Sequence, residues 1–253
     1  MLPRTSITRS NNCELCEVEN IVMRGFFVTS TGTSVGKTFV SRALLRGLRA
    51  RGMRVAGLKP IETGCAPSPQ DALALAEASG RMTLAHSPRW YRAELPVAPY
   101  AVELETGFPA PRIDALVREI DVIASHHDAV LVEGAGGLLV PLDRERSMAD
   151  LARALGLPLL MIAEDRLGVL SHVFAAVEAA QQRGLSIAAL VLNQSAAADP
   201  TDVSIRTNRT ILAERLGFPV LSHAHVAQDQ PDALIQASEQ SGLLALTLSA
   251  LGR

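Results

Sequence analysis

Residues 25–50, GFFVTSTGTSVGKTFVSRALLRGLRA, run from an apolar stretch through a loop of small residues directly into a helical pattern. The loop closes on Gly36-Lys37-Thr38, the second half of the phosphate-binding pattern G-x-x-x-x-G-K-[ST]. Its first half departs: Thr31 stands where that pattern has glycine, and the nearest glycine, Gly32, comes one place later. A strand that feeds a helix through such a loop offers the backbone N–H groups of Ser30 to Ser34 to an anion, and the helix beginning near Gly36 adds the positive end of its dipole. Lys37 would then reach between the outer phosphates, and the Thr38 hydroxyl would ligate Mg2+. The competing reading is a Ser/Thr-rich helix cap with ordinary residues in its first turn. A strand before the loop and a helix after it favour phosphate binding.

The alternation continues along the chain. Strands are expected at 54–58, 129–133, 158–163, 187–192 and 218–221, and helices at 71–78, 113–124, 170–183 and 205–216. Strands separated by helices of this length imply βαβ units. The fold class is therefore α/β, a single domain with a mostly parallel sheet and helices on both faces. Hydrophobic residues make up 48% of the 253 positions but aromatic ones only 4%, which suits a Val/Leu/Ile sheet under Ala-rich helices. A net charge of −2 supplies no basic field for nucleic acid or anionic lipid, and the run LGLPLLMIA (155–163) is too short to cross a bilayer. A soluble protein with neither partner is expected.

Three cysteines, an odd count, point to a reducing, cytoplasmic compartment. Cys13 and Cys16 are spaced like half of a zinc site, but no second pair follows. Residues 1–22 are polar and aperiodic, so they are expected to be a disordered extension, or the product of a misplaced start, ahead of a domain spanning 23–253. Glu14, Glu17 and Glu19 argue against a transit peptide.

In parallel sheets ligands sit beyond the carboxyl ends of the strands, and two further strand ends carry unusual residues. In LKPIETG (58–64), Pro60 keeps Lys59 out of helical geometry, where it is either a surface lysine or a second cation for a phosphoryl group. In VEGAGG (132–137), Glu133 leaves a buried strand just before three glycines in four residues, the place of a magnesium-organising acid. Asp71 is a further candidate ligand, although an aspartate before ALALAEA also reads as a helix N-cap. The histidine pairs 126/127 and 223/225 lack companions at ligand spacing and read as surface or loop residues.

Together TSTGTSVGKT, LKPIETG, DALALA and VEGAGGLLVPL, in this order between Gly25 and Ala227, closely resemble the dethiobiotin synthetase family. That family has a P-loop NTPase-like fold and a shifted loop, G-T-x-T-x-V-G-K-T; here Ser30 takes the place of its first glycine and Gly32 that of a frequent aspartate. The resemblance implies an ATP-dependent ring closure. The diamine 7,8-diaminononanoate and CO2 form a carbamate, which takes the γ-phosphoryl group of ATP; the neighbouring amine then attacks the mixed anhydride and releases phosphate.

By position, the resemblance makes Lys37 and Lys59 the catalytic cations and gives nucleotide contacts to Thr33, Ser34, Val35, Gly36, Lys37, Thr38, Glu133 and Asn193, the last at the base. It gives Thr38, Asp71 and Glu133 to Mg2+ and Thr33 and Thr63 to the diamine, whose carboxylate tail meets Gly168, Val169, Leu170 and Ser171 of the second subunit of a homodimer. Two rivals share the fold. A partition-type or septum-positioning switch ATPase would carry a lysine where Gly32 stands and a basic tail, whereas residues 232–253 contain no lysine. A cobyrinate-type amide synthetase would need a glutaminase cysteine, and none follows Cys65.

Overall fold

A computed structural model describes residues 24–197, 201–226 and 230–253. The extension at 1–22 and the Cys13/Cys16 pair lie outside them. The strands are β1 (Gly25–Ser30), β2 (Val55–Leu58), β3 (Ile61–Thr63), β4 (Tyr91–Ala93), β5 (Ala129–Glu133), β6 (Leu159–Glu164), β7 (Ile187–Asn193) and β8 (Val220–His223). Six of them form a sheet in the order β2-β5-β1-β6-β7-β8, with every neighbouring pair parallel. β3 and β4 make a separate parallel pair beside it.

The helices are α1 (Lys37–Ala50), α2 (Gln70–Ala78), α3 (Pro99–Thr106), α4 (Ile113–Ala124), α5 (Met148–Leu155), α6 (Val169–Gln182), α7 (Val203–Arg215), α8 (Pro231–Gln240) and α9 (Leu243–Ala250). The period of two along each strand assigns them to faces. Phe26, Val28, Leu131, Leu160, Ile162 and Val191 pack under α1, α2 and α9. Phe27, Val130 and Val132 meet α4 and α5 on the other side. Met161, Ala163, Leu190 and Leu192 continue that side beneath α6 and α7. Burial on both faces is why the strand sequences read as unbroken aliphatic runs.

Every strand and helix expected from the sequence is present to within about two residues. The structure adds β3, β4, α3, α5, α8 and α9. β3 is only three residues long and carries the charged Glu62, so it offers no period to detect. α3 begins at Pro99, a favoured residue in a first turn, inside a passage whose prolines masked the helix. The carboxyl-terminal stretch, read earlier only for its charge, is structural: Leu234, Leu243 and Leu244 are buried, and α8 and α9 pack on α1. No helix among the described residues is long and apolar enough to cross a membrane.

Candidate active site at the strand ends

The sheet order brings β1 between β5 and β6, so the loops after β1, β2 and β5 meet at one edge. Gly36 is the N-cap of α1 with φ 91°, a left-handed conformation that suits glycine. A Cβ there would lie 2.1 Å from Asn193 Nδ2, so the position demands glycine for space as well. Asn193, at the end of β7, donates through Nδ2 to the Val35 carbonyl at 3.1 Å and pins the loop from two strands away. Its Oδ1 is buried and has no hydrogen-bond partner among the described residues. Ser34 is left-handed without being glycine, at φ 57°. Such a conformation costs about 1 kcal/mol or more, which the surrounding loop must offset. Thr33 and Ser34 are exposed at the mouth of the loop, while Val35 and Lys37 are buried.

Beneath the loop the charges are tightly organised. Glu133 is fully buried, and its Oε1 accepts from Thr38 Oγ1 at 2.8 Å and from Lys59 Nζ at 2.7 Å. Its Oε2 accepts from Ser41 Oγ at 2.9 Å. Lys59 also donates to the Gly134 carbonyl at 3.1 Å and pairs with Asp71 Oδ2 at 2.9 Å. Burial opposes the Lys59 charge, but Glu133 and Asp71 outweigh it and hold the amine above the ordinary lysine value. Burial likewise opposes the Asp71 charge, and the Lys59 ammonium overrides it, so Asp71 titrates lower than a free aspartate.

Lys37 behaves differently. Its Nζ donates to Ser30 Oγ at 3.1 Å. Burial and then repulsion from Lys59 push its pKa from 10.5 down to about 8, against the attraction of Glu133 and Asp71. Two lysines close enough to repel each other, one of them short of negative partners, make a site prepared for added anionic charge.

The structure thus gathers Lys37, Thr38, Lys59, Asp71 and Glu133 from four segments of the sequence into one cluster. It also shows that Asp71 is not the cap of α2. The N-cap of α2 is Pro69, and Asp71 turns its side chain to Lys59. The capping falls to Glu62, which accepts from the backbone N–H groups of Asp71 and Ala72 at 2.9 and 3.0 Å. Burial raises the pKa of Glu62 despite those two bonds. Thr63 ends β3 and is half-buried. Gly168 is the N-cap of α6 with φ 91°, and no side chain caps that helix, so Ser171 is not its cap. Val169 is buried, Leu170 partly so, and Ser171 exposed.

Two contributors escaped sequence reasoning. Ser41 lies three residues after Thr38, on the same helical face, and that spacing was the available signal. Glu62 sits in ETG, where nothing in the sequence distinguishes a cap for a helix eight residues later.

His223 is also corrected: it is fully buried at the end of β8, edge-on to Phe39 with ring centroids 5.7 Å apart. Burial lowers its pKa. The unfolded chain therefore takes up this proton near pH 6.5 while the folded chain resists it, and stability is lost as pH falls below that value. The melting temperature should be lower at pH 5.5 than at 7.5, with His223 contributing up to about 1.4 kcal/mol per pH unit. His223→Phe should narrow that difference; an unchanged difference would place the acid sensitivity elsewhere.

A family model described as AAA domain matches residues 24–229. Over 187 residues, 72% of this chain and 82% of the relative, the sequence is 45% identical to an ATP-dependent dethiobiotin synthetase of Anaeromyxobacter sp. (strain K). It is 37% identical over 223 residues to the enzyme of that name from Pseudomonas aeruginosa (strain UCBPP-PA14), covering 85% of this chain and 95% of the relative. Among solved structures, a cobyrinic acid a,c-diamide synthase of Mycobacterium smegmatis with bound ADP and magnesium superposes with a TM-score of 0.52 at 16% identity, over 91% of this chain and 97% of that one. A MinC:MinD cell division complex of Aquifex aeolicus gives 0.53 at 11% identity, over 91% and 95%. Identities this low show a shared fold and no more.

Proposed function

Because this chain belongs to the dethiobiotin synthetase family, we propose that the cluster around Glu133 carries out that family's phosphoryl transfer and ring closure. The activity is ATP-dependent synthesis of dethiobiotin: carboxylation of 7,8-diaminononanoate with CO2, then cyclisation with release of ADP and phosphate. The switch-ATPase alternative shares only the fold. The observation that best supports the site assignment is the convergence of Lys37 and Lys59, two buried amines that repel each other at the end of a phosphate-binding loop.

The chemistry follows from that arrangement. One amine of the diamine adds to CO2 and loses a proton, giving a carbamate. A carbamate oxygen attacks the γ-phosphorus and ADP leaves, while negative charge spreads over the transferring oxygens. Lys37, held by the loop, meets the phosphate side of that charge. Lys59, fixed by Glu133 and Asp71, meets the carbamate side. Such preorganised cations lower the barrier because they need not reorganise as charge develops. The second amine then attacks the carbonyl carbon and phosphate departs, which closes the ring.

The donor set suits Mg2+: a hydroxyl and two carboxylates, all hard oxygens, from Thr38, Asp71 and Glu133. Among the described residues no cluster of three or more acidic, histidine or cysteine side chains could cage a metal alone. A cation that takes one or two carboxylates and completes its shell with phosphate oxygens fits that pattern. When bound, Mg2+ would neutralise charge on the triphosphate. Thr33 to Thr38 would cradle the phosphates, Thr33 and Thr63 would contact the diamine, and Asn193 the base, its unpartnered Oδ1 being free to accept a hydrogen bond.

Gly168 to Ser171, an uncapped helix start, would receive the carboxylate tail across a homodimer. Leu167 beside it is 78% exposed and Leu139 after the glycine loop is 47% exposed, apolar surface that a second subunit would cover. A cytoplasmic setting accords with Cys65 as a free thiol.

The test is phosphate release from Mg·ATP with and without 7,8-diaminononanoate and bicarbonate, with the product followed by mass. Release should depend on the diamine, and the product should be heavier by one carbonyl minus two hydrogens. Hydrolysis indifferent to the diamine would defeat the reading.

A further inference from the structure

Ser30 is the last residue of β1, 1% exposed, and it is paired in the sheet with Ile162. Its hydroxyl lies 2.5 Å from the Gly32 carbonyl and 3.1 Å from the Gly136 carbonyl, so it spans the first and third glycine-bearing loops. A serine hydroxyl has one hydrogen and two lone pairs. The hydrogen is directed to those carbonyls, which leaves a lone pair for the Lys37 ammonium at 3.1 Å.

Lys37 has three N–H donors, and among the described residues Ser30 Oγ is its one hydrogen-bond partner. The amine sits on a flexible four-carbon stem, and Glu133, already taken up by Thr38, Ser41 and Lys59, attracts it, as does Asp71. Something must hold Lys37 at the loop against that pull. We propose that Ser30 is a positioning residue for the phosphoryl transfer: from the rigid end of β1 its hydroxyl takes one ammonium hydrogen of Lys37 and leaves the other two for phosphate oxygens.

This rests on the assignment of Lys37 to the phosphates, and it goes beyond that assignment by naming what orients the amine. The side chain of Ser30 touches neither nucleotide nor diamine in this scheme. It acts through Lys37, and Lys37 must therefore be present for it to matter.

A double-mutant cycle tests that dependence. Ser30→Ala, Lys37→Ala and the double variant are compared by turnover at saturating diamine and bicarbonate, and by calorimetric affinity for Mg·ADP. Melting temperature checks that each variant is folded. A hydrogen bond to a buried charge is worth roughly tenfold or more, so Ser30→Ala should lower turnover and ADP affinity by about tenfold in the presence of Lys37. In the Lys37→Ala background the same change should have an effect of less than about twofold. An equal loss in both backgrounds would overturn the proposal, because a hydroxyl that only ties Gly32 to Gly136 would be missed whether or not Lys37 is there. Full turnover in Lys37→Ala would overturn the assignment of Lys37 itself, and this inference with it. The ADP arm keeps the cycle readable when turnover in the Lys37→Ala background is small.

Discussion

Replacing Lys37 with alanine is expected to lower turnover by on the order of 10²–10³-fold, the loss typical of one preorganised charge at a transition state, while the melting temperature holds or rises slightly. The two halves of this result come from the same geometry. Lys37 is buried, bonded to the neutral hydroxyl of Ser30, and repelled by Lys59, so its charge is a net cost to the ligand-free fold. A shift from 10.5 to about 8 corresponds to a cost on the order of 3 kcal/mol at neutral pH. Removing the amine relieves that cost and sacrifices some packing of the aliphatic stem, and the two roughly offset. Steady-state phosphate release and a thermal melt on the same preparation measure both halves. A variant that turns over normally would remove Lys37 from the chemistry, and one that melts far lower would mean that the ammonium stabilises the ligand-free protein after all.

Much of this site was legible in the sequence, and the legible part has a common physical origin. Lys37, Thr38, Lys59 and Glu133 each sit within two residues of the end or start of an element whose period was strong, so placing the elements placed the side chains. Asp71 was ambiguous because one residue type serves both as helix cap and as anion, and sequence spacing does not separate the two. Only the pairing of Glu62 with the backbone of Asp71 and Ala72 shows that the capping was already supplied. His223 was misread because SHAH looks polar, whereas β8 lies at the sheet edge with α1 above it and takes the ring out of water. Ser30 looked like a departure from the glycine pattern. In the structure its hydroxyl has three partners, Gly32 and Lys37 within its own loop and Gly136 beyond the end of β5. Contacts made across strands are set by the order of the sheet, which no local window contains.

Lys59→Ala should also lose turnover by on the order of 10²–10³-fold, but unlike Lys37→Ala it should lose stability as well. Lys59 is bonded to Glu133, which is fully buried, and it pairs with Asp71 besides. Breaking a buried pair by removing one partner leaves an uncompensated charge and costs about 3–5 kcal/mol. In a chain of this length each kcal/mol corresponds to roughly 2–4 °C, so the melting temperature should fall by on the order of 10 °C. The bonds from Thr38 and Ser41 to Glu133 survive and set the lower end of that range. Adding Glu133→Gln to Lys59→Ala removes the stranded charge and should restore most of the melting temperature at pH 7.5 without restoring turnover. If the double variant melts as low as Lys59→Ala alone, the loss comes from packing and not from charge, and the pairing of Lys59 with Glu133 is not what holds this edge of the sheet together.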